Sequence, residues 1–262
     1  MAVINITPDS FSDGGRYLDP YKALKRASEC LSEGADVLDL GAQSTRPGSI
    51  QLSADDELFR LEKPLSLIRN KHPNAIISVD TYYSKVASKA IDLGADWIND
   101  VSGGRQDPNI FKVALNTGCP YVLTHSRGDS QSMDKLTQYN DVSLDVLNSL
   151  RRQSQDAIEL GISKNKIIWD IGIGFAKNNQ QNIDLLRNLE LFTQDGFPTL
   201  VGPSRKRFIG NVLNEEDPNE RLWGTASVVC RCVQASISMV RVHDVKQIKQ
   251  AITMYEVIKN NS

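Results

Sequence analysis

The alternation of strand-like and helix-like segments along the chain is the feature that most constrains its fold. Short apolar runs rich in Val, Ile and Leu recur, and each is followed by a polar loop and a stretch with helical periodicity. Their mean spacing is roughly 33 residues, close to the length of one strand–helix unit. Eight strands are predicted, at Ala2–Ile6, Asp36–Gly41, Ala75–Asp80, Trp97–Val101, Pro120–His125, Lys166–Asp170, Pro198–Gly202 and Ser238–Val242.

Glycine and proline punctuate the segments between these strands, as they do at helix ends. Three predicted helices end at a glycine (34, 94 and 161), and a fourth stops before Pro73. These helices are predicted at Tyr21–Glu33, Ala54–Asn70, Ser84–Leu93 and Asp141–Leu160.

Two architectures alternate strands and helices in this way: a closed (β/α)8 TIM barrel and an open doubly wound sheet. The count of eight favours the barrel, and 262 residues is near the usual size of one. No G-x-G-x-x-G motif follows the first strand, so the dinucleotide-binding version of the open sheet loses its main support. No Pro/Ser-rich linker divides the chain. We therefore predict an α/β, single-domain (β/α)8 barrel over residues 1–262.

Composition excludes several classes of function. Hydrophobic residues make up 40% and charged residues 24% of the chain, and no run of about 18 apolar residues occurs, so neither disorder nor a membrane span is predicted. Lys+Arg is 30 and Asp+Glu is 32, and the net charge of -2 offers no general attraction for nucleic acid or anionic lipid. Any anion-binding site must therefore be local.

The N-terminal sequence and the cysteines indicate a cytoplasmic protein. Residues 2–6 lack the basic flank and apolar core of a signal peptide. Cys30, Cys119, Cys230 and Cys232 show no C-x-x-C pattern and no metal-ligand spacing with the histidines. We expect reduced thiols that act as small core residues.

Polar or charged side chains follow every predicted strand. In a barrel the carboxyl ends of the strands share one mouth, where chemistry is carried out. One such residue alone could be a helix N-cap. Eight sets together indicate a site, because burying these groups is costly unless they pair with each other or with a ligand.

These strand-end residues divide into two chemical groups. The first consists of donors suited to phosphate: Arg46, Arg241, His243, Asn5 and the hydroxyls of Ser44 and Thr45. The second mixes donors and acceptors as the edge of an amino-oxo heterocycle requires: Asp80, Asn99, Asp170 and Lys206. A carboxylate that faces an N–H/NH₂ pair makes two parallel charge-assisted hydrogen bonds and rejects analogues without those donors.

Some of these residues have a possible structural role as well as a ligand-binding one. Asp9 and Asp13 are compatible with loop capping as well as with ligand binding, and His243 with a structural hydrogen bond. The segment 172–177 could be a glycine-rich phosphate loop, but it lacks the Walker spacing and we discount it. Phe175 is better explained as a wall of the site.

Taken together, the loop motifs resemble the dihydropteroate synthase family. The resemblance runs in order from Asn5-Ile-Thr-Pro-Asp-Ser-Phe-Ser-Asp-Gly-Gly to Arg241-Val-His-Asp-Val, and it includes the specific motifs Ser-Thr-Arg-Pro-Gly and Ser-Arg-Lys. It implies that 6-hydroxymethyl-7,8-dihydropterin diphosphate is joined to 4-aminobenzoate, with release of pyrophosphate. Family members are commonly homodimers, and sulfonamides imitate aminobenzoate in this family.

The resemblance also implies a role for each matching residue. Asp80, Asn99, Asp170 and Lys206 match the pterin-binding positions, with Phe175 beside the ring; Asp80, Asp170 and Lys206 are the expected catalytic residues. Asn5, Thr45, Arg46, Arg241 and His243 match the diphosphate pocket, where Asn5 also helps to hold Mg²⁺. Phe11, Asp13, Pro47 and Arg207 are expected near the aminobenzoate.

The chain departs from the common family sequence at Arg207, where a small hydroxyl residue often lines the aminobenzoate site. This departure leaves a non-catalytic pterin-binding homologue as one alternative. A second alternative is a pterin-binding methyltransferase module, which shares the barrel and the pterin-facing aspartates. The module needs no diphosphate pocket, so Arg46, Arg241, His243 and Lys206 count against it.

Overall fold

A computed structural model of the chain describes residues 1–6, 19–44 and 48–259. Within these residues it contains one sheet of eight parallel strands that pair in chain order. The strands are β1 (Ala2–Asn5), β2 (Val37–Gly41), β3 (Ile76–Asp80), β4 (Trp97–Asp100), β5 (Tyr121–Thr124), β6 (Ile167–Asp170), β7 (Thr199–Val201) and β8 (Met239–Val240). All eight predicted strands are present.

Helices follow the strands, as the periodicity predicts. They are α1 (Pro20–Ser32), α2 (Ala54–Lys71), α3 (Ser84–Asp92), α4 (Ile110–Thr117), α5 (Val142–Glu159), α6 (Asn179–Arg187), α7 (Arg207–Leu213), α8 (Leu222–Gln234) and α9 (Val245–Lys259). The predicted stops at Gly34, Gly94 and Gly161 have φ of 95°, 99° and 108°, a region that side chains with a Cβ rarely adopt.

The first strand also contacts the segment that follows β8. The backbone N–H of Val3 donates to Val242 O at 3.0 Å, and that of Val242 donates to Met1 O at 3.0 Å. Ala2 and Val242 thereby form a parallel bridge. The two ends of the eight-stranded order are therefore hydrogen-bonded to each other.

Alternation along each strand divides the apolar residues into an inner and an outer set. Leu38 and Leu40 of β2 pack on the helices in one outer cluster, and Tyr121 and Leu123 of β5 pack in another. Val37 of β2 and Val122 of β5, which alternate with these residues, belong to a small inner cluster with Met1, Ile168 and Leu200. Because this cluster joins β2 to β5, β6 and β7, which are not its neighbours, the sheet must curl around it.

The same alternation determines where the polar side chains point. Asp39 lies two residues after the inner Val37, and Asp170 lies two residues after the inner Ile168. A residue two positions further along a strand faces the same side. The polar groups are therefore stacked on the inner apolar layer, at the carboxyl end of the strands.

Two further predictions concern the cysteines and the membrane. All four cysteines are free thiols, as predicted; Cys30, Cys119 and Cys232 are buried and Cys230 is half-buried. Among the helices of the described ranges, none has both the length and the apolar character that crossing a bilayer requires.

Candidate active site

The carboxyl ends of β3, β4, β6 and β8 bring four polar side chains together. Asp80 pairs in register with Gly41 on one side and with Asn99 on the other. Asp170 ends β6, and Arg241 follows β8 directly. The structure therefore collects Asp80, Asn99 and Asp170, predicted from separate parts of the sequence, at one edge of the sheet.

Arg241 links the carboxylates of this edge. Its Nε donates to Asp39 Oδ2 at 2.6 Å, and its Nη2 donates to Asp80 Oδ2 at 2.9 Å. Asn99 Nδ2 donates to the same oxygen of Asp39 at 3.0 Å. In this structure the guanidinium that was predicted to bind diphosphate is the counterion of two aspartates.

Asp39 is a site residue to which the sequence prediction gave no role. It is fully buried, and its second oxygen, Oδ1, has no hydrogen-bond partner among the described residues. A signal was present in the sequence, because Asp39 is a charged residue inside the apolar run Val37-Leu-Asp-Leu40. Charged residues are almost never fully buried unless they are paired.

Burial and crowding make Asp80 a weaker acid than usual. Burial raises its pKa to about 7, and the negative charges of Asp39, Asp100 and Asp170 act in the same direction. Arg241 opposes this shift. Near neutral pH the Asp80 carboxyl can therefore exist with or without its proton.

The cations of the site respond to the same burial. Burial lowers the pKa of Lys206 to about 8, and Asp170 partly offsets this effect. For Arg241, burial alone would lower the pKa, but Asp39 and Asp80 more than compensate and the net shift is upward. Arg241 therefore stays charged, whereas Lys206 can lose its proton at mildly alkaline pH.

Lys206 and Phe175 form one wall of the site. Lys206 precedes α7, and its Nζ lies 4.0 Å from the centroid of the Phe175 ring and donates to Ile173 O. Phe175 also borders an open cleft of about 410 Å³, whose other walls include Gln43, Tyr82, Val101, Arg127 and Met133. The Phe175 ring therefore contacts Lys206 and also borders this cleft.

The predicted anion-binding residues are only partly described. Asn5 ends β1 with an exposed side chain. His243 Nδ1 lies 3.0 Å from Ser204 Oγ, and the His243 backbone N–H donates to the same oxygen at 3.2 Å. Thr45 and Arg46 lie outside the described residues, as do Phe11, Asp13 and Pro47 of the predicted aminobenzoate subsite.

Arg207, the fourth residue predicted near aminobenzoate, makes an ion pair. Its two terminal nitrogens donate to both oxygens of Asp134, at 3.0 and 2.8 Å. Asp134 belongs to a short 3-10 helix, Met133–Lys135, after β5. The pair therefore connects the start of α7 to the segment that carries Met133, a residue of the cleft wall.

Comparison with known proteins establishes the family. A family model described as Pterin binding enzyme matches residues 1–243. The chain belongs to the pterin binding enzyme family. Dihydropteroate synthase from Synechocystis sp. (strain ATCC 27184 / PCC 6803 / Kazusa) is 42% identical over 250 residues, which cover 95% of this chain and 86% of that protein.

Solved structures of dihydropteroate synthases have the same fold. Dihydropteroate synthase from Xanthomonas albilineans with 4-aminobenzoic acid superimposes with a TM-score of 0.93 at 33% identity, covering 100% of this chain and 93% of that one. The Yersinia pestis enzyme in a sulfonamide drug complex gives 0.92 at 34% identity, covering 99% and 93%.

The donor set of this pterin binding enzyme determines what kind of metal site it can form. Among the described residues, no group of three or more His, Cys, Asp and Glu side chains is arranged to hold a metal ion. Mg²⁺ is commonly bound by one or two protein oxygens together with substrate phosphates and water. The exposed amide of Asn5 fits one such ligand, so the residues suit a metal ion that arrives with a diphosphate.

Proposed function

We propose that this chain condenses 6-hydroxymethyl-7,8-dihydropterin diphosphate with 4-aminobenzoate to form 7,8-dihydropteroate and pyrophosphate. The observation that carries the proposal is the cluster of Asp80, Asn99 and Asp170 at one sheet edge, where Arg241 pairs with Asp80 and Lys206 supplies a second cation. The X. albilineans enzyme, which has this fold, is described with 4-aminobenzoic acid.

The polar cluster recognises the pterin through its hydrogen-bonding edge. In its ionised form, the Asp80 carboxylate accepts from an N–H/NH₂ pair, and Asp170 and Asn99 complete the set of acceptors and donors. Lys206 and Phe175 supply a cation and a flat apolar face beside the ring. Because these groups are largely dry, each mismatched hydrogen bond on a wrong ligand is costly.

Bond breaking is favoured by positive charge near the leaving group. Asn5, Arg46, Arg241 and His243 are the proposed diphosphate ligands. Asn5, together with the diphosphate, would hold Mg²⁺, and the ion would supply further positive charge near the departing oxygen. Binding of diphosphate requires Arg241 to share its guanidinium with the anion, since in this structure it pairs with Asp39 and Asp80.

In the reaction the C–O bond to diphosphate breaks, and a new C–N bond forms between the exocyclic pterin carbon and the aminobenzoate nitrogen. The electron-rich dihydropterin stabilises positive charge on that carbon, so bond breaking can precede attack. The arylamine is neutral at pH 7, and after attack the positively charged nitrogen passes one proton to water. The reaction therefore needs no strong general base.

We also propose that the sheet is a closed (β/α)8 barrel. The hydrogen bonds that link Val3 and Met1 to Val242 support closure, as does the inner cluster that joins β2 to β7. In the alternative, an open doubly wound sheet, the two edge strands are not hydrogen-bonded to each other.

We infer in addition that two copies associate through the helices α7, α8 and α9. Leu213, Trp223, Met254 and Val257 are exposed on these helices, and Trp223 is 78% exposed. These helices pack against one another, and large exposed apolar side chains on neighbouring helices are typical of an interaction surface. Sedimentation of the purified chain should give twice its mass of 29.1 kDa. A sedimentation mass equal to that of one chain would contradict the inference.

One assay tests the activity: the purified chain is incubated with dihydropterin diphosphate, 4-aminobenzoate and Mg²⁺, and dihydropteroate is measured. We expect product, and we expect a sulfonamide to compete with aminobenzoate, as the Y. pestis drug complex suggests. Lys206→Ala should abolish turnover, whereas Lys85→Ala, an exposed lysine paired with Asp55, should not. Pterin binding without product would favour the non-catalytic homologue, and methyl transfer from a folate would favour the methyltransferase module.

A further inference from the structure

Lys177 is a buried lysine that the proposed reaction does not use. It lies between β6 and α6 and is 5% exposed. Its Nζ is 3.0 Å from His125 Nδ1, 2.9 Å from Gly172 O and 3.0 Å from Phe175 O. A lysine ammonium has three N–H donors and no acceptor, so the two carbonyl oxygens, and the His125 ring in the tautomer that carries its proton on Nε2, match the charged form of Lys177.

The chain wraps tightly around this ammonium. Gly172 has a φ of 69°, and a Cβ added there would lie 1.8 Å from His125 O. The Gly172 N–H donates to Asp170 Oδ1 at 2.8 Å, and the Gly174 N–H donates to Asn182 Oδ1 at 2.6 Å. The Lys177 side chain therefore points into the fold and hydrogen-bonds the β6–α6 connection from its inner side. The connection is not an exposed phosphate-binding loop.

The wrapped connection carries the wall of the active site. Its residue Phe175 accepts from Lys177 through the backbone and faces Lys206 with its ring. Its residue Ile173 accepts from Lys206 Nζ through the backbone oxygen. Both of these contacts of Lys206 are therefore made by the segment to which Lys177 donates hydrogen bonds.

Lys177 is also a positive charge close to Asp170. Burial lowers its pKa well below the usual value, and Asp170 opposes this shift. Burial raises the pKa of Asp170, and the Gly172 N–H and three cations oppose that shift, Lys177 among them. The charged and titratable groups that face Lys177 from the surrounding elements are Asp170, His125, Lys206, Arg127 and Arg105.

We propose that Lys177 is a positioning residue: its ammonium shapes the β6–α6 connection so that Phe175 and Ile173 hold Lys206, and it keeps positive charge beside Asp170. The kinetic part of this inference rests on the proposed function, whereas the structural part does not.

Lys177→Met tests both parts, because it keeps the length of the side chain and removes the ammonium. We expect the KM for dihydropterin diphosphate to rise about tenfold, the scale of one lost charge-assisted hydrogen bond, with kcat changed much less. The acid limb of the pH profile of kcat/KM should move up by about one pH unit, because Asp170 loses a nearby cation. A variant with the wild-type KM and pH profile would overturn the proposal.

Hydrogen exchange gives a readout that does not require catalysis. Amides of the peptide 171–177 should exchange faster in Lys177→Met than in the wild-type protein, while peptides of α2 stay unchanged. If the wild-type chain forms no product, the proposed function fails, and this comparison still decides the role of Lys177. Unchanged exchange would contradict the structural part.

Lys164→Met is the matched control. Lys164 Nζ also donates to a backbone carbonyl, Asp195 O at 2.8 Å, and lies 4.7 Å from the ring of Phe197, but its side chain is exposed. We expect wild-type kinetics and exchange for this control. Equal effects in both lysine variants would show that the result is not specific to the buried site.

His125 supplies a second test in case Lys177→Met does not fold. His125→Ala removes one acceptor of the ammonium, so the alkaline limb of the kcat/KM profile should move to lower pH as Lys177 loses its proton more easily. His125→Asn keeps an acceptor oxygen near the Nδ1 position and should restore the wild-type limb. Identical profiles for the two His125 variants would refute the proposal.

Discussion

Replacing Asp80 with asparagine is expected to raise the stability of the folded protein near neutral pH while it removes turnover. The Asp80 pKa is about 7 in the folded protein against a reference of 3.8. A carboxyl group whose pKa is higher in the folded protein than in the unfolded chain favours folding most when it is protonated, below its unfolded pKa. This contribution to the free energy of unfolding is lost as the pH rises to the folded pKa. Ionised Asp80 therefore costs stability, and an amide of the same shape does not carry this cost.

The magnitude follows from the size of the shift. From 3.8 to about 7 is about 3 pH units, and at 1.36 kcal/mol per unit the full cost is about 4 kcal/mol. Asparagine resembles the protonated acid, so the two proteins should be equally stable at low pH. The stability advantage of Asp80→Asn should grow by about 2.5 kcal/mol between pH 5 and pH 8.

Urea unfolding of both proteins at pH 5, 6, 7 and 8 measures this difference directly. Asp36→Asn is the control, because this carboxylate is 78% exposed and its replacement should change stability little at any pH. A difference between wild type and Asp80→Asn that stays constant with pH, or that shrinks as the pH rises, would refute the reasoning.

Three further results are expected. Gly172→Ala should lower the free energy of unfolding by more than about 3 kcal/mol, because the added Cβ would meet His125 O. Gly118 has a φ of 64° and open space around it, so Gly118→Ala should lower it by only about 1–2 kcal/mol. Equal losses in the two variants would contradict this prediction. A double-mutant cycle of Arg207→Ser and Asp134→Asn, measured by unfolding, should give a coupling free energy of at most about 1 kcal/mol, because both side chains are about half exposed. A coupling free energy above about 2 kcal/mol would show that the pair behaves as a buried one. Chelation of Mg²⁺ with EDTA should stop product formation and added Mg²⁺ should restore it; full activity in EDTA would remove the metal from the mechanism.

Periodicity and punctuation in the sequence predicted the strands to within about two residues at each end. The predicted Ala75–Asp80 is Ile76–Asp80 in the structure, and the predicted Ser238–Val242 shortens to Met239–Val240. Val242 still makes strand-like contacts, but with β1, across the two ends of the sheet. Strand ends depend on which neighbour remains in reach, and that is a tertiary property.

The sequence predicted which residues lie in the site, but not which of them form hydrogen bonds or ion pairs with each other. Asp80, Asn99 and Asp170 share one edge because the carboxyl ends of parallel strands must coincide. The partners of Arg241 could not be predicted, because Asp39 lies 202 residues away and Asp80 lies 161 residues away along the chain. Which carboxylate a guanidinium reaches depends on rotamers that the motif does not encode.

Arg207 and Lys177 illustrate the same difference. Position 207 suggested contact with aminobenzoate, and the structure directs its guanidinium to Asp134, in a segment 73 residues away. Lys177 lies in a glycine-rich stretch that could be mistaken for a phosphate loop, yet its ammonium is buried. Burial is decided by the packing of several elements, so no local pattern predicts it.

The order of strand pairing has a consequence for how the molecule assembles. Seven pairings join each described strand to the next one in sequence, whereas the bond from the Met1 amine to Val240 O spans 239 residues. Bringing distant segments together costs more chain entropy than closing short loops, so this seam should form last and open first. Arg241 lies beside the seam, and folding intermediates that lack it would carry Asp39 and Asp80 without their counterion.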